Sequence, residues 1–184
     1  MKIINFFRAR LRKTLNEEIW LKDYIKKGMK VGKNCNIQPG LVIDHSNYWL
    51  IEIKDNVTIA PFVYLLAHDA STKRPLGATK IGKVVIEDNC FIGARAIIMP
   101  GVTVGKNSVV AAGSIVTKDV DPDSVVGGNP ARFICSLSDY LEKQKNILEK
   151  APKFDGQFTI ENIDESRKIE MNTSLTKNKI GFRF

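Results

Sequence analysis

Two histidines, His45 and His68, are this 184-residue chain's full complement of the one side chain whose ordinary titration falls near neutral pH. Each has an acidic neighbour, Asp44 before His45 and Asp69 after His68. A neutral imidazole facing a hydroxyl can take its proton as the oxygen attacks, which is general-base chemistry. Asp44 could orient His45 for that task, or both could line a pocket to which Trp49 offers a flat aromatic face. His68, in LLAHDAST, opens a stretch that runs through Lys73, Arg74 and Gly77 to Lys83; its plain alternative is a hydrogen bonder within that loop. No metal is expected: two histidines fall short of a three-histidine zinc set, and three cysteines lack ligand spacing.

What must position these residues is a beat of six. Ile86, Ile92, Ile98, Val104, Val110 and Val116 open successive rows, and Cys90, Ala96, Val102, Ser108, Ser114 and Val120 hold the fifth positions. A helix repeats at 3.6 residues and a strand at 2, so neither keeps every sixth aliphatic on one core. A short extended rung with a tight turn does, with three rungs to a coil of parallel strands. The expected fold is therefore an all-β solenoid, a parallel β-helix. The Gly and Asn of IGAR, VGKN and PGVT suit turns of positive φ. Val31, Ile37 and Ile43 keep the same beat, which then breaks twice: ten residues separate Ile43 from Ile53, and twenty-one separate Leu65 from Ile86, read as a coil of eighteen with three to spare. Both histidines lie in these breaks, where a rigid stack projects loops.

The rows, followed by VVGGNPARFI from Val125 to Ile134, resemble the hexapeptide-repeat acyltransferases, in the branch of the galactoside, maltose and capsular-polysaccharide O-acetyltransferases. The resemblance covers residues 31–134. It implies a left-handed coil, a homotrimer, and acetyl-CoA bound along the cleft between subunits, with a saccharide as acceptor. It makes His68 the general base, although the sugar acetyltransferases usually read THP where this chain reads AHD, which puts the exact partners of the base in question; Asp69, next to it, is a candidate acceptor-binding residue. His45 is similar to the histidine of a DH pair in serine acetyltransferases. Ala94 and Ala112, eighteen positions apart, are implied to meet the pantetheine arm through their backbone, or are simply tight-turn residues. Thr117, Lys118 and Arg132 are implied to meet the nucleotide and its phosphates. The implied reaction is direct acetyl transfer to a sugar hydroxyl in polysaccharide or glycoconjugate synthesis. The alternatives are an amino-sugar, xenobiotic or serine-type acceptor, or a non-catalytic scaffold.

Charge is concentrated at the start. Residues 1–33 carry ten Lys and Arg against three acids, so +7 of the formal +8 lies there. Ile4, Phe7, Leu11 and Leu15 fall at helical spacing opposite Arg8, Arg10, Arg12 and Lys13, and a second helix is expected from an Asn16 cap to Gly28. These helices, residues 1–30, are expected to cap the solenoid, with contact to an anionic membrane surface as the sharper alternative. Nucleic acid is not expected, since no binding motif is present. A loop is expected at about 66–85, a helix over Leu137–Lys150, a short helix near Asp164–Met171, and a packing or assembly role for the 135–184 tail. With no long apolar run, no signal-type start and an odd cysteine count, a cytoplasmic location is expected.

Overall fold

The computed structural model describes residues 21–184. The basic amphipathic helix and the Asn16 cap lie outside them. What is described begins with the short helix α1 (Leu21–Lys26), which ends before Gly28 at φ +105°. No helix among the described residues is long and apolar enough to cross a membrane. The chain divides into two compact units, up to Leu137 and from Ser138.

The first unit is built from rungs of two or three residues. One coil holds β1 (Lys30–Val31), β2 (Asn36–Ile37) and β3 (Val42–Ile43); the next holds β4 (Ile51–Ile53), β5 (Thr58–Ile59) and β6 (Tyr64–Leu65). A hairpin follows, β7 (His68–Asp69) and β8 (Lys80–Ile81), with the single turn α2 (Lys73–Leu76) at its tip. Two more coils hold β9 (Val84–Ile86), β10 (Phe91–Ile92), β11 (Ile97–Ile98), β12 (Thr103–Val104), β13 (Val109–Val110) and β14 (Ile115–Val116). The strands gather into three sheets: β1-β4-β9-β12, β2-β5-β10-β13 with the closing strands beyond, and β3-β6-β11-β14. All pairs within these coils are parallel, and regular coils advance 18 residues, as in Phe91↔Val109 and Ile97↔Ile115. The closing strands are β15 (Ser124–Gly128) and β16 (Ala131–Ser136), an antiparallel hairpin turned at the cis Asn129–Pro130 bond.

The six-residue beat is the core. Row openers Ile59, Leu65, Ile86, Ile92 and Ile98 are fully buried, and so are the fifth-position residues Ala96, Ser108 and Ser114. The two serines are satisfied there, Ser108 Oγ donating to the Asp121 carbonyl at 2.8 Å and Ser114 Oγ to that of Ala111 at 2.7 Å. Cys90 is buried at its corner, where burial pushes its thiol up to about 11, whereas Cys35, in the lowest coil, is half-buried.

The turns meet the expectation of positive φ at Gly101 and Asn107 and depart from it at Gly93 and Gly105. Of the three motifs, only PGVT has its glycine in the left-handed region, Gly101 at φ +86°. In IGAR and VGKN that conformation belongs to Arg95 and Asn107, at +60° and +59°. Gly93 and Gly105 are needed for close stacking instead. A Cβ on Gly93 would lie 2.4 Å from the Ala112 nitrogen, and one on Gly105 would lie 2.6 Å from that of Pro122. At one corner the left-handed residues form a ladder. Asn34, Asn56, Asn89 and Asn107 each donate a side-chain amide upward, and Asp123, which can only accept, ends the series.

The second unit holds α3 (Leu137–Lys150), β17 (Lys153–Phe154), α4 (Glu165–Asn178) and β18 (Phe182–Arg183), β17 and β18 pairing in parallel. Phe154 is its buried residue, its ring 5.0 Å from that of Phe158. Helix α4 starts where expected, at the Asp164 cap, which accepts from the Arg167 amide and pairs with the Arg167 guanidinium, but it runs on past Met171 to Asn178.

If inward aliphatics carry this stack, Ile92→Ala should cost about 2–5 kcal/mol. That lowers Tm by about 4–20 °C for a chain of this size. Thr58→Ala, on the outer side of the same sheet, should cost under about 1 kcal/mol. Thermal unfolding of both variants checks the contrast.

Candidate active site

Both interruptions of the beat fall at one corner. Ile43 pairs with Leu65, and Ile53 pairs with Ile86. The step from β3 to β4 therefore carries four residues beyond the regular six. The step from β6 to β9, twenty-one residues between Leu65 and Ile86, is also a single corner and carries fifteen extra, rather than a coil with three to spare. The inserted segments, 44–50 and 66–83, thus rise one above the other, because the rungs that launch them are hydrogen-bonded neighbours.

Stacking them puts Asp44 beneath His68. The Asp44 amide donates to the Leu65 carbonyl at 3.0 Å, continuing the ladder one residue beyond the rung. Its side chain is 0% exposed and every contact is directional. Oδ1 accepts from the amides of Ser46 and Asn47 at 3.0 and 3.2 Å, and Oδ2 accepts from the amide of Ala67 at 3.0 Å. Oδ2 also lies 2.5 Å from His68 Nδ1. Burial by itself would raise the Asp44 pKa, but hydrogen bonds from His68, Ala67 and Ser46 outweigh it and hold the carboxyl below its ordinary value. An ionised carboxylate only accepts, so the shared proton belongs to Nδ1 of His68. Nε2 of the neutral ring is then an acceptor with no partner among the described residues, on a side chain that is 37% exposed.

Of the two readings of Asp44, a partner for His45 or a residue lining a pocket with it, the first is not seen: its carboxylate pairs with His68. The His45 side chain is exposed and packs edge-on to Tyr24 of α1 at 6.2 Å. Tyr24 is buried against Tyr48 at 5.4 Å, and its hydroxyl is pushed above its ordinary pKa by burial and by the nearby Asp44 charge. Trp49 stands edge-on to Tyr48 at 5.2 Å and is 56% exposed, on the same inserted segment as Asp44. Asp69, the candidate acceptor-binding residue beside His68, caps the next turn by accepting from the Ser71 amide at 2.9 Å, which lowers its pKa.

The remaining candidates lie elsewhere on the coil. Ala94 and Ala112 follow β10 and β13 and are stacked at another corner, tied by the Gly113 amide donating to the Ala94 carbonyl at 2.8 Å. That bond uses one lone pair of the carbonyl, and a second remains for a ligand amide. Thr117 and Lys118 are exposed just after β14, at the corner that carries the insertions two and three coils below. Arg132 is exposed on β16, with Nη1 donating to the Ala131 carbonyl at 2.9 Å. Within one chain the alanine corner and the His68 corner are separated by the width of a sheet face, roughly 17–20 Å for five or six residues. That face, β3-β6-β11-β14, turns Val42, Tyr64, Ile97 and Ile115 outward.

Sequence reasoning missed Glu52. It stands on β4 between two cations, accepting from Lys54 Nζ at 2.6 Å and pairing with Lys83 Nζ at 2.8 Å, and so pins the returning arm of the hairpin that carries His68. These hydrogen bonds bring its carboxyl down to about 2. The signal was present, because Lys83 immediately precedes the row that lies over Glu52.

Residues 83–118 match the family model of the hexapeptide repeat of succinyl-transferase. The chain is 34% identical over 131 residues to the galactoside O-acetyltransferase of Escherichia coli K12, covering 68% of this chain and 64% of that protein. It thus spans just under two thirds of that relative. It is 35% identical over 139 residues to protein CapG of Staphylococcus aureus, covering 71% of this chain and 77% of that protein. Among solved structures it is similar to a hexapeptide-repeat containing acetyltransferase of Vibrio cholerae O1 biovar eltor, complexed with acetyl coenzyme A. That match has 29% identity and a TM-score of 0.52, covering 70% of this chain and 84% of that one.

Glu52 also gives a sign to the acid response. A carboxyl depressed to about 2 from an ordinary 4.5 adds stability that is complete above the ordinary value and drains away as pH falls through the folded one. Wild type should therefore lose stability between about pH 5 and pH 2 more steeply than Glu52→Gln, read as urea midpoints across that range. Parallel curves would show that the two lysines do not hold this carboxylate in solution.

Proposed function

The chain belongs to the hexapeptide-repeat acyltransferase family, and from that premise we propose that it transfers an acetyl group from acetyl-CoA to a hydroxyl of a saccharide. The observation that carries this is the Asp44–His68 pair: a buried carboxylate on Nδ1 that leaves Nε2 of an accessible imidazole as a base. His68 Nε2 takes the proton of the acceptor hydroxyl as its oxygen bonds to the thioester carbonyl carbon. The C–S bond breaks, and the same nitrogen returns the proton to the leaving sulfur, giving the acetyl ester and free CoA thiol. Asp44 keeps the ring in the required tautomer and stabilises its transient charge. The activity named for the galactoside relative supports a sugar as acceptor, and the exposed Trp49 supplies a face for its ring.

The alanine corner suits the pantetheine arm, because small side chains on stacked turns let a ligand reach the backbone. Thr117, Lys118 and Arg132 suit the nucleotide end, where exposed cations meet phosphate. Since one chain keeps the two corners a sheet width apart, the complete site is formed where the alanine corner of one copy meets the His68 corner of another. The apolar outer residues Val42, Tyr64, Ile97 and Ile115 are the surface such an assembly would bury, and a left-handed coil assembled as a homotrimer is the arrangement we adopt. A polysaccharide or glycoconjugate precursor is the acceptor class.

Thiol release from acetyl-CoA with a panel of methyl glycosides tests this. His68→Ala should lower kcat by about 10²- to 10⁴-fold with little change in acetyl-CoA affinity. Asp44→Asn should also lower kcat, by less, and His45→Ala should act on acceptor KM alone. A His45→Ala enzyme that is folded but dead, beside an active His68→Ala enzyme, would put the base in the wrong place. Tyr64→Asp, in the middle of the apolar face, should shift sedimentation toward the monomer and abolish activity with it.

A further inference from the structure

The hairpin that carries His68 also decides what stands beside the imidazole. The Gly82 amide donates to the Ala67 carbonyl at 3.0 Å, which makes 67 and 82 a hydrogen-bonded pair. His68↔Ile81 is the next pair in register. In an antiparallel ladder the two kinds of pair alternate, so His68 and Ile81 form the non-hydrogen-bonded pair. The side chains of such a pair share a face and approach closest, with Cα atoms about 4.5 Å apart. The following pair, Asp69↔Lys80, points to the opposite face, where the Lys80 charge helps to lower the Asp69 pKa. The flank of the base is therefore an aliphatic side chain, and Lys80, next to it on the strand, belongs to the opposite face.

Ile81 is 63% exposed and lies outside the buried core of the coil. An exposed β-branched side chain on the face of the imidazole has a consequence for any acceptor. A hydroxyl within hydrogen-bond reach of Nε2 places the carbons next to it near Ile81. A C–H or methyl group there gains contact. A second hydroxyl or an anionic group there loses water with no partner to replace it.

We propose that Ile81 is the apolar wall of the acceptor site and selects saccharides whose reacting hydroxyl is flanked by a C–H face or a deoxy position rather than by a second hydroxyl or a charge. This rests on the reading of His68 as the base. Apolar contacts of this size discriminate by about 10- to 200-fold in kcat/KM.

The test uses methyl galactoside, methyl glucoside and their monodeoxy derivatives as acceptors, with thiol release from acetyl-CoA as the readout. Wild type should favour at least one monodeoxy derivative over its parent by about 10-fold or more. Ile81→Thr keeps the branched shape but exchanges apolar for polar surface. It should bring that preference close to unity in acceptor kcat/KM, with the KM for acetyl-CoA unaltered. Ile81→Ala should weaken all acceptors, and circular dichroism should show both variants folded. Transfer by wild type with no preference for any deoxy sugar, or a preference that survives Ile81→Thr, overturns the assignment of Ile81 while leaving acetyl transfer by His68 standing. No release by wild type with any of these sugars overturns both.

Discussion

The parallel register of the coil is the constraint on which everything else rests. Each rung must lie on the rung below through main-chain hydrogen bonds, so a coil may take extra residues only between rungs, and it must return to the same place. Ile53 over Val31 and Ile86 over Ile53 show the return after each insertion. Two insertions that leave from paired rungs cannot avoid each other. Asp44 and His68 meet because Ile43 and Leu65 are partners.

Rigidity of this kind suits the base we propose at His68. The Asp44 carboxylate is held by three backbone amides from two segments before it reaches the imidazole. It is therefore oriented by the scaffold, and it orients the ring in turn. Glu52 does the same for the returning arm of the hairpin through Lys83. The side chains left exposed around this fixed centre, Trp49 and Ile81, are those not needed for its geometry, and they are free to suit an acceptor.

Much of this was legible in the residues, and the exceptions have physical causes. The row openers announce a six-residue beat because only stacked rungs bury one aliphatic in six, and the sheets observed are those rungs. The glycines misled, because two demands select the same residue: positive φ, met at Gly101, and contact of backbone with backbone, met at Gly93 and Gly105. Spacing cannot separate them, and asparagine or even arginine meets the first demand here. The Asp44–His68 pair was hidden by adjacency, since Asp44 precedes His45 and sequence favours neighbours. Counting rows from Leu65 as one corner rather than one coil would have placed the two insertions together. The Ile81 pairing lies further out of reach, because it depends on the turn length within a loop that has no periodicity.

The central claim is that Asp44 holds His68 with its proton on Nδ1. Nitrogen-15 spectra of the histidine side chains, recorded where the imidazoles are neutral, measure this directly. The account predicts that His68 is fixed as the Nδ1–H tautomer in wild type and that this preference is lost in Asp44→Asn, with the His45 signals unchanged. A His68 ring carrying its proton on Nε2, or one insensitive to Asp44→Asn, would contradict it.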